Sequence, residues 1–344
     1  MDATNTNGIL MVNLGTPDST KVSDVRKYLR QFLMDERVID KPYWVRKLVV
    51  ECFIMPTRPK ASAEAYKSIW WEEGSPLLIL SQRLQKLLQE KVKTPVALGM
   101  RYGNPSAESA ISELLEKVKD LKKIFLIPLY PHYAMSSYET AVVDVQDTIK
   151  KMKLDVELDV LPPYYQNEKY IDALVDSAKE HLEWDYDHLL FSYHGIPERH
   201  LCKADPTGEH CLKVKDCCHV PSEAHNVCYR HQVFRTSEEF VKKANIPEGK
   251  YSVSFQSRLG RDPWLTPYTD ATFTKLAESG VKKLLLLSPA FVSDCLETLE
   301  ELCEEGAEIF EEAGGEELRV VPCLNENKVW VDTLASWCKE RGFE

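Results

Sequence analysis

The sequence predicts a doubly wound α/β protein, and two patterns indicate this fold class. Short apolar runs alternate with longer amphipathic segments along the 344 residues, which is typical of repeated strand–helix units. Several of the runs are apolar almost throughout, as expected for strands of a parallel sheet that is buried on both faces. The predicted strands cover residues 8–14, 95–100, 123–130, 155–161, 187–192, 251–255, 281–288 and 318–323.

Amphipathic helices are predicted between the strands. In residues 105–119 the apolar side chains fall at helical spacing, with Asn104 suited to the N-cap and Pro105 to the first turn. The helix after the third strand should open with Ser136 and Glu139, because these residues have the spacing of a capping box. Such helices cover both faces of the sheet in a doubly wound protein.

The alternation also fits two lobes of this kind. The segment LPPYYQNEKY, near residues 160–170, interrupts the pattern, so we predict one domain over 1–165 and a second over 166–344. Two segments depart from the strand–helix alternation. One is an aromatic and basic segment at 40–71, called the lip segment below, and the other is a cysteine-rich insertion at 201–228.

The composition is that of a soluble globular protein. Hydrophobic residues make up 44% of the chain and charged residues 28%, and the formal net charge of −11 argues against a general nucleic-acid surface. The N-terminus lacks the basic region of a signal peptide and the arginine-rich pattern of a transit peptide. No apolar run is long enough to span a bilayer. We therefore expect a cytoplasmic protein.

The cysteine-rich insertion holds half of the ten cysteines, which are Cys202, Cys211, Cys217, Cys218 and Cys228. Structural disulfides are rare in a reducing cytosol, so a metal centre is the better interpretation. Thiolate ligands select zinc or an iron–sulfur cluster over hard cations. The cysteine spacing alone leaves both centres open.

Residues that directly follow strands are the candidates for chemistry, because ligands of open α/β sheets bind at the carboxyl ends of the strands. His194 follows the fifth strand by two positions in a loop shaped by glycine and proline, where it suits acid–base work or metal contact. A loop histidine bonded to the backbone is the alternative. Asp294, Glu297 and Glu301 follow the seventh strand with helical spacing and predict either oxygen ligands or carboxylates that stabilise a helix N-terminus.

Other strand-end loops contribute aromatic and cationic side chains. These are Arg101, Tyr102, Tyr130, Tyr133 and Trp264. Each aromatic ring alone is explained by a local core. Several rings at one sheet edge predict a large, flat, apolar ligand, with arginine available for its anionic groups.

Six segments together resemble the signature blocks of the ferrochelatase family, in the family's order from residue 8 to about 305. The resemblance implies two Rossmann-like lobes with a porphyrin cleft between them. It implies insertion of Fe²⁺ into protoporphyrin IX to form protoheme, with release of two protons. The segments are GILMVNLGTPDS, GMRYGNP, YPHYAMSSYETA, FSYHGIPERH, FQSRLGRDPWLTP and SDCLETLEEL.

The resemblance also implies roles for the acid–base residues. His194 matches the family histidine that accepts a pyrrole proton or contacts the iron, and Glu297 matches the glutamate that faces it. Asp294 and Glu301 would continue an acidic path for metal or protons. Many relatives have a histidine where this chain has Cys295, so a second histidine role is not expected.

For the substrate, the resemblance implies that Arg101 and Tyr102 contact the porphyrin and that Trp264 forms an aromatic wall of the cleft. Tyr130 is a further candidate substrate contact because of its strand-end position. Leu14 occupies the pocket position of the first strand, where relatives that act on coproporphyrin tend to have tyrosine. An apolar residue at this position favours protoporphyrin IX, with coproporphyrin III as the alternative.

The cysteine spacing C-x5-C-C-x9-C, formed by Cys211, Cys217, Cys218 and Cys228, resembles an insertion in a subset of bacterial ferrochelatases that hold a [2Fe–2S] cluster. The resemblance therefore implies that these four are the ligands and that the cluster braces the catalytic loop. A zinc site is the alternative centre. An exchange of Cys202 for Cys211 is the alternative ligand set.

Three further functions are compatible with the sequence. They are a cobalt or nickel chelatase, a porphyrin or heme carrier without turnover, and an iron or redox sensor in which the cysteine segment is the working part. The lip segment, 40–71, would touch the inner face of a membrane or pack locally. The sequence does not predict the oligomeric state.

Overall fold

Each half of the chain is organised around its own four-stranded parallel sheet in the computed structural model, which describes residues 6–258, 260 and 262–344. The first unit comprises 6–130, Met135–Pro162 and Val331–Glu344. The second unit comprises Pro131–Ala134 and Pro163–Trp330. The predicted α/β class with parallel sheets is confirmed.

The two sheets have equivalent strand orders, β2-β1-β3-β4 and β6-β5-β7-β8. All neighbouring strands pair in parallel, and the central strands are apolar and buried, which is why they read as continuous apolar runs in the sequence. All eight predicted strands are confirmed, with small shifts of their ends. They are β1 (Asn7–Thr16), β2 (Val96–Gly103), β3 (Lys123–Pro128), β4 (Glu157–Val160), β5 (His188–His194), β6 (Tyr251–Gln256), β7 (Lys283–Leu287) and β8 (Glu317–Val320).

Helices connect the strands, as the alternation predicts. The α-helices are α1 (Val22–Leu33), α2 (Tyr43–Leu48), α3 (Arg58–Ile69), α4 (Pro76–Lys91), α5 (Ala107–Lys117), α6 (Thr140–Lys151), α7 (Glu168–Leu182), α8 (Glu198–Ala204), α9 (Tyr229–Lys243), α10 (Thr269–Glu278), α11 (Gly306–Glu312) and α12 (Lys328–Glu340). The described residues also form π-helical segments at Val49–Ile54, Met135–Glu139 and Glu297–Glu305. None of the described helices is both long enough and apolar enough to cross a bilayer.

The cap predicted for α5 is wrong. The helix is capped by Ser106, whose side chain accepts a hydrogen bond from the backbone N–H of Ser109. Asn104 instead donates its side-chain amide to Asp18 at 2.7 Å. A partner that lies far away in sequence has taken the side chain that local spacing assigned to the cap.

The capping box predicted at Ser136 and Glu139 is also wrong. Helix α6 begins only at Thr140, after the π-helical segment Met135–Glu139. The Glu139 carboxylate forms an ion pair with Arg37 at 3.0 Å. The glutamate is therefore used in a tertiary contact and not as a cap.

Candidate active site and cysteine centre

The carboxyl end of β5 carries His194, the candidate proton acceptor of the second unit. His194 lies beside Gln256 of β6, and the backbone N–H of Gly195 donates to the Gln256 carbonyl at 2.7 Å. The hydroxyl of Tyr229 donates to the backbone carbonyl of His194 at 2.9 Å. These bonds use backbone groups, so the imidazole itself remains available for chemistry.

The His194 side chain is held in its neutral form. Burial lowers its pKa, and the negative charge of Glu297 opposes that shift only in part. The ring of Phe291 lies nearly perpendicular to the imidazole, with centroids 6.4 Å apart. A neutral imidazole near pH 7 has a free lone pair and can accept a proton.

Glu297 and Glu301 lie in the π-helical segment Glu297–Glu305, which follows β7. π-Helical turns are rare and occur frequently at functional sites. Burial, the charge of Glu297 and that of other nearby glutamates raise the pKa of Glu301 to about 7, although the Ser257 hydroxyl donates to its carboxylate at 2.7 Å. Glu301 is therefore poised to take up or release a proton near neutral pH.

The spacing predicted that Asp294 shares a helix face with the two glutamates. This prediction is wrong, because Asp294 precedes the helix. Its carboxylate accepts hydrogen bonds from the Thr298 hydroxyl at 3.0 Å and from the Asn325 amide at 2.6 Å. The backbone N–H of Cys323 donates to the same carboxylate at 3.3 Å. These contacts anchor the loop after β7.

Trp264 lies against the loop that carries His194. The backbone of Trp264 forms an antiparallel bridge with that of Pro197. A Cβ atom built on Gly195 would lie 3.4 Å from the Trp264 ring. The ring therefore packs over Gly195 and forms a flat wall beside the loop. Leu259 and Arg261, which belong to the same signature block, lie outside the described residues.

At the corresponding edge of the first unit, β1 and β2 bring Leu14 and Arg101 together. The register that pairs Gly15 with Tyr102 places Leu14 beside Arg101, and both side chains keep partial exposure at the strand ends. Gly15 has a φ of +106°, and a Cβ atom there would lie 1.7 Å from the Tyr102 carbonyl oxygen. Only glycine allows this close approach. Tyr130, two residues after β3, is 8% exposed.

Arg101 and Tyr102 belong to a buried hydrogen-bond network. The Arg101 guanidinium forms an ion pair with Asp35 and donates to the Thr140 hydroxyl at 2.7 Å. Asp144 lies 3.4 Å from the same guanidinium, and the Tyr102 hydroxyl donates to Asp35 at 2.9 Å. Tyr102 is fully buried, and the Arg101 guanidinium lies over its ring. Tyr102 therefore supports the Arg101 side chain.

Asp35 is the centre of that network. Burial opposes its ionisation, but hydrogen bonds from Thr140 and the Arg37 backbone, together with the charge of Arg101, outweigh burial and lower its pKa. Asp35 was not predicted as a site residue, because it lies 66 residues from Arg101 and follows no strand. No periodicity or motif marks it.

Four of the five clustered cysteines are buried together in the second unit. Cys211, Cys217, Cys218 and Cys228 are at most 4% exposed, whereas Cys202 is exposed. This difference separates the four cysteines of the C-x5-C-C-x9-C spacing from the fifth.

The thiols of Cys211 and Cys218 contact that of Cys228, and nitrogen donors lie beside the group. Hydrogen bonds from Cys211 and Cys218 lower the pKa of Cys228 to about 3, and the same contacts raise the pKa values of those two partners. The guanidinium of Arg230 lies 3.5 Å from the sulfur of Cys218 and 3.9 Å from that of Cys217. These contacts favour thiolate character within the group.

The donor set fits a soft metal centre, because it offers four sulfur atoms within 18 residues and hydrogen-bond donors for thiolates. Throughout the described part of the chain, no three histidine, cysteine, aspartate or glutamate side chains stand in the geometry of a bound metal ion. A surface cavity of about 500 Å³ opens beside Cys217 and Cys218. The cavity gives this side of the group access to solvent.

The lip segment, 40–71, exposes apolar side chains on its first helical stretch. Trp44 is 74% and Phe53 70% exposed, and the exposed set is Tyr43, Trp44, Val45, Leu48 and Phe53. Lys47 lies 5.7 Å from the Trp44 ring. By contrast, Arg46 is buried and donates to the Lys41 carbonyl at 2.9 Å, so one face of this stretch packs locally and the other does not.

Comparison with known proteins identifies the family. The family model of ferrochelatase matches residues 6–342. The chain is 53% identical to the ferrochelatase of Pseudomonas fluorescens (strain Pf0-1) over 333 residues, 96% of this chain and 97% of that protein. It is 50% identical to the ferrochelatase of Azotobacter vinelandii (strain DJ) over 336 residues, 97% of this chain and 98% of that protein.

A solved structure supports the fold. SirB from Bacillus subtilis with Fe³⁺ matches with a TM-score of 0.54 and 10% identity over 99% of both chains. The family match includes every strand end described above. The chain belongs to the ferrochelatase family, the metal chelatases of heme biosynthesis.

Proposed function

We propose that this ferrochelatase inserts Fe²⁺ into protoporphyrin IX and that His194 accepts a pyrrole proton during insertion. Two N–H bonds break and two protons leave as the macrocycle nitrogens bind the metal, which stays Fe²⁺. The observation that carries the assignment of His194 is its position at the carboxyl end of β5, near the charge of Glu297, and its lowered pKa agrees with this role. A neutral imidazole is the form that can take the proton.

Glu297 and Glu301 supply the charge and the proton path in this proposal. The negative charge of Glu297 stabilises the imidazolium that forms when His194 is protonated. Glu301, with a pKa raised to about 7, can receive the proton and release it to solvent. Asp294 acts indirectly, because its carboxylate is occupied by Thr298 and Asn325.

In this proposal Leu14, Arg101 and Trp264 contact the porphyrin, and Tyr102 and Tyr130 support the contacting residues. Leu14 supplies an apolar contact and Arg101 a cation for a propionate group, while Trp264 offers a flat ring beside the His194 loop. Tyr102 acts by holding Arg101, and Tyr130 by packing at the end of β3.

Anaerobic incubation of the purified protein with Fe²⁺ and protoporphyrin IX tests the activity, with heme formation as the readout. Parallel reactions with Co²⁺ and Ni²⁺ test the other chelatase functions. Glu297→Gln removes the negative charge and keeps the side-chain volume, and it should lower turnover severely. A protein that binds porphyrin tightly and forms no heme would be the non-catalytic carrier, and the proposal would be rejected.

Leu14 predicts a preference for protoporphyrin IX, which carries two propionates, over coproporphyrin III, which carries four. The two porphyrins should be compared by kcat/KM at saturating Fe²⁺. Leu14→Tyr should reduce the difference in kcat/KM between the two porphyrins. A higher kcat/KM for coproporphyrin III in the parent would contradict this part of the proposal.

We further propose that Cys211, Cys217, Cys218 and Cys228 hold a [2Fe–2S] cluster. Protein purified without oxygen should be red-brown, with about two irons and two acid-labile sulfides per chain. Serine at any of the four buried positions should remove the colour. Cys202→Ser is the matched control and should keep it, because Cys202 is exposed. Colourless protein with zinc would identify a structural zinc site.

The exposed face of the lip segment supports a peripheral contact with the inner face of a membrane, from a cytoplasmic protein. Apolar rings beside lysines suit an interface of acyl chains and anionic head groups. Sedimentation with phosphatidylglycerol vesicles should recover the parent, and Trp44→Ser with Phe53→Ser should remain in the supernatant. Val214→Ser, at an exposed valine elsewhere, is the control. Equal sedimentation of all three would reject the contact.

A further inference from the structure

Helix α9 begins at the cysteine centre and is bonded to the catalytic loop. Cys228 is the N-cap of α9, and Tyr229 is its first residue. The Tyr229 hydroxyl donates to the backbone carbonyl of His194 at 2.9 Å. Two consecutive residues therefore join the proposed metal centre to the proposed proton acceptor.

The Tyr229–His194 hydrogen bond is partly buried and joins a buried tyrosine to the catalytic loop. Tyr229 is 5% exposed, and burial raises its pKa, so the hydroxyl is a neutral donor at all working pH values. Its ring packs edge-on against His132, with centroids 5.9 Å apart. Loss of a hydrogen-bond donor to a partly buried carbonyl costs free energy, so this bond contributes to the position of the His194 backbone.

Two imidazoles, one in the first turn of α9 and one in the turn that precedes the helix, also bond to the cysteine segment. His231 bonds to the Cys218 carbonyl at 2.6 Å, and His225 bonds to the Cys217 carbonyl at 2.9 Å. The His225 and His231 rings stack with centroids 3.7 Å apart. The start of α9 and the backbone of the adjacent cysteines are therefore held as one piece.

We propose that Tyr229 is a positioning residue through which the cysteine centre holds His194 in its catalytic orientation. When the centre is filled, Cys228 is fixed and Tyr229 presents its hydroxyl to the His194 carbonyl. Emptying the centre releases Cys228, so the first turn of α9 loosens and His194 loses a backbone anchor. The inference rests on the proposed activity and centre, and it assigns the centre a role in turnover that needs no electron transfer.

Tyr229→Phe tests the link, because it removes one oxygen and keeps the ring. The variant should keep the visible absorption of the centre and the porphyrin KM, while kcat falls about tenfold. Chelation of the centre should lower the kcat of the parent by a similar factor. Chelation should lower the kcat of Tyr229→Phe little further, because both changes break the same link.

The electron paramagnetic resonance spectrum of the reduced centre gives a readout that is independent of turnover. Coupling between two sites is reciprocal, so binding of iron-free protoporphyrin IX should shift this spectrum in the parent and leave that of Tyr229→Phe unchanged. Tyr165→Phe is the matched control, because the Tyr165 ring packs edge-on against His231 at 6.2 Å. This control should keep the parent's kcat and its spectral response.

Several outcomes would overturn the proposal. One is a Tyr229→Phe protein with the parent's kcat, and another is a variant that loses as much turnover on chelation as the parent does. An unchanged spectrum when porphyrin binds the parent would also overturn it. A parent that makes no heme refutes the proposed activity, while the spectroscopic measurement still decides the coupling. A parent without a metal centre overturns the coupling and the proposed centre, while the heme assay still decides the activity.

Discussion

The two sheets have the same strand order, yet the charged groups at their carboxyl edges are arranged in opposite ways. In the first unit, the Arg101 cation lies between the carboxylates of Asp35 and Asp144. In the second unit, Glu297 and Glu301 lie close together near His194. One edge is an ion-pair network that includes a cation, and the other brings two carboxylates together near a neutral imidazole.

The pKa directions express this difference. Hydrogen bonds and the Arg101 charge lower the pKa of Asp35 against the effect of burial. Burial and the Glu297 charge raise the pKa of Glu301 to about 7. The same topology therefore supports a fixed carboxylate in one unit and a proton-exchanging one in the other, because the neighbouring charges differ.

The largest effect should be on turnover, and it should come from the sheet edge of the second unit that carries His194. His194→Ala should lower turnover by about a thousandfold or more, because it removes the proposed proton acceptor. Porphyrin binding and the thermal unfolding temperature should change little. His188→Ala, at the opposite end of β5, is the matched control and should keep turnover. Equal turnover in His194→Ala and the parent would place the active site elsewhere.

Substitutions in the network around Asp35 and Arg101 should change the free energy of unfolding. Asp35→Asn removes a buried charge that accepts bonds from Arg101, Tyr102 and Thr140, and we expect a loss of about 3 kcal/mol in the free energy of unfolding. Asp144→Asn, which removes the more exposed and more distant partner, should cost about 1 kcal/mol or less. Urea denaturation measures both. Similar losses in the free energy of unfolding for the two variants would show that Asp35 is not the more important partner of Arg101.

A smaller effect concerns the pH dependence of stability. Between pH 4.5 and about 7, native Glu301 keeps a proton that the unfolded chain releases, so its contribution to stability falls as pH rises and is lost above the native pKa. Glu301→Gln should therefore be more stable than the parent by about 2 kcal/mol at pH 8 and nearly equal to it at pH 4.5. Urea denaturation at both pH values tests this. Glu308→Gln, exposed on α11, should show no such change.

The smallest effect concerns the cysteine centre, where the Arg230 cation lies beside two sulfur atoms. Arg230→Gln removes the charge beside the sulfurs of Cys217 and Cys218, so the reduction potential of the proposed cluster should become more negative. A spectroscopic redox titration measures this shift. Arg235→Gln is the control, because Arg235 pairs with Glu238 and Glu239. An equal shift in both variants would show a general charge effect.

Local rules failed where a distant partner competed for the same side chain. The sequence assigned Asn104 and Glu139 to helix caps, but Asp18 and Arg37 bind them, at separations of 86 and 102 residues. Cap prediction uses spacing within one turn, and it cannot include the energy of a tertiary contact. The apolar strands were free of such competition and were predicted well.

The sequence by itself determined the eight strands, the α/β class and the family, because apolar runs and motif order are local properties of the chain. It also located His194 at a strand end and a cysteine group in one short segment.

Tertiary structure alone decided which groups meet. It brought Asp35 to Arg101, buried four cysteines and left Cys202 exposed, and placed the Tyr229 hydroxyl on the His194 carbonyl. It also set the opposite pKa directions of the two carboxylates. Burial, hydrogen bonding and charge proximity depend on distances between residues far apart in the chain, and no periodicity encodes those distances.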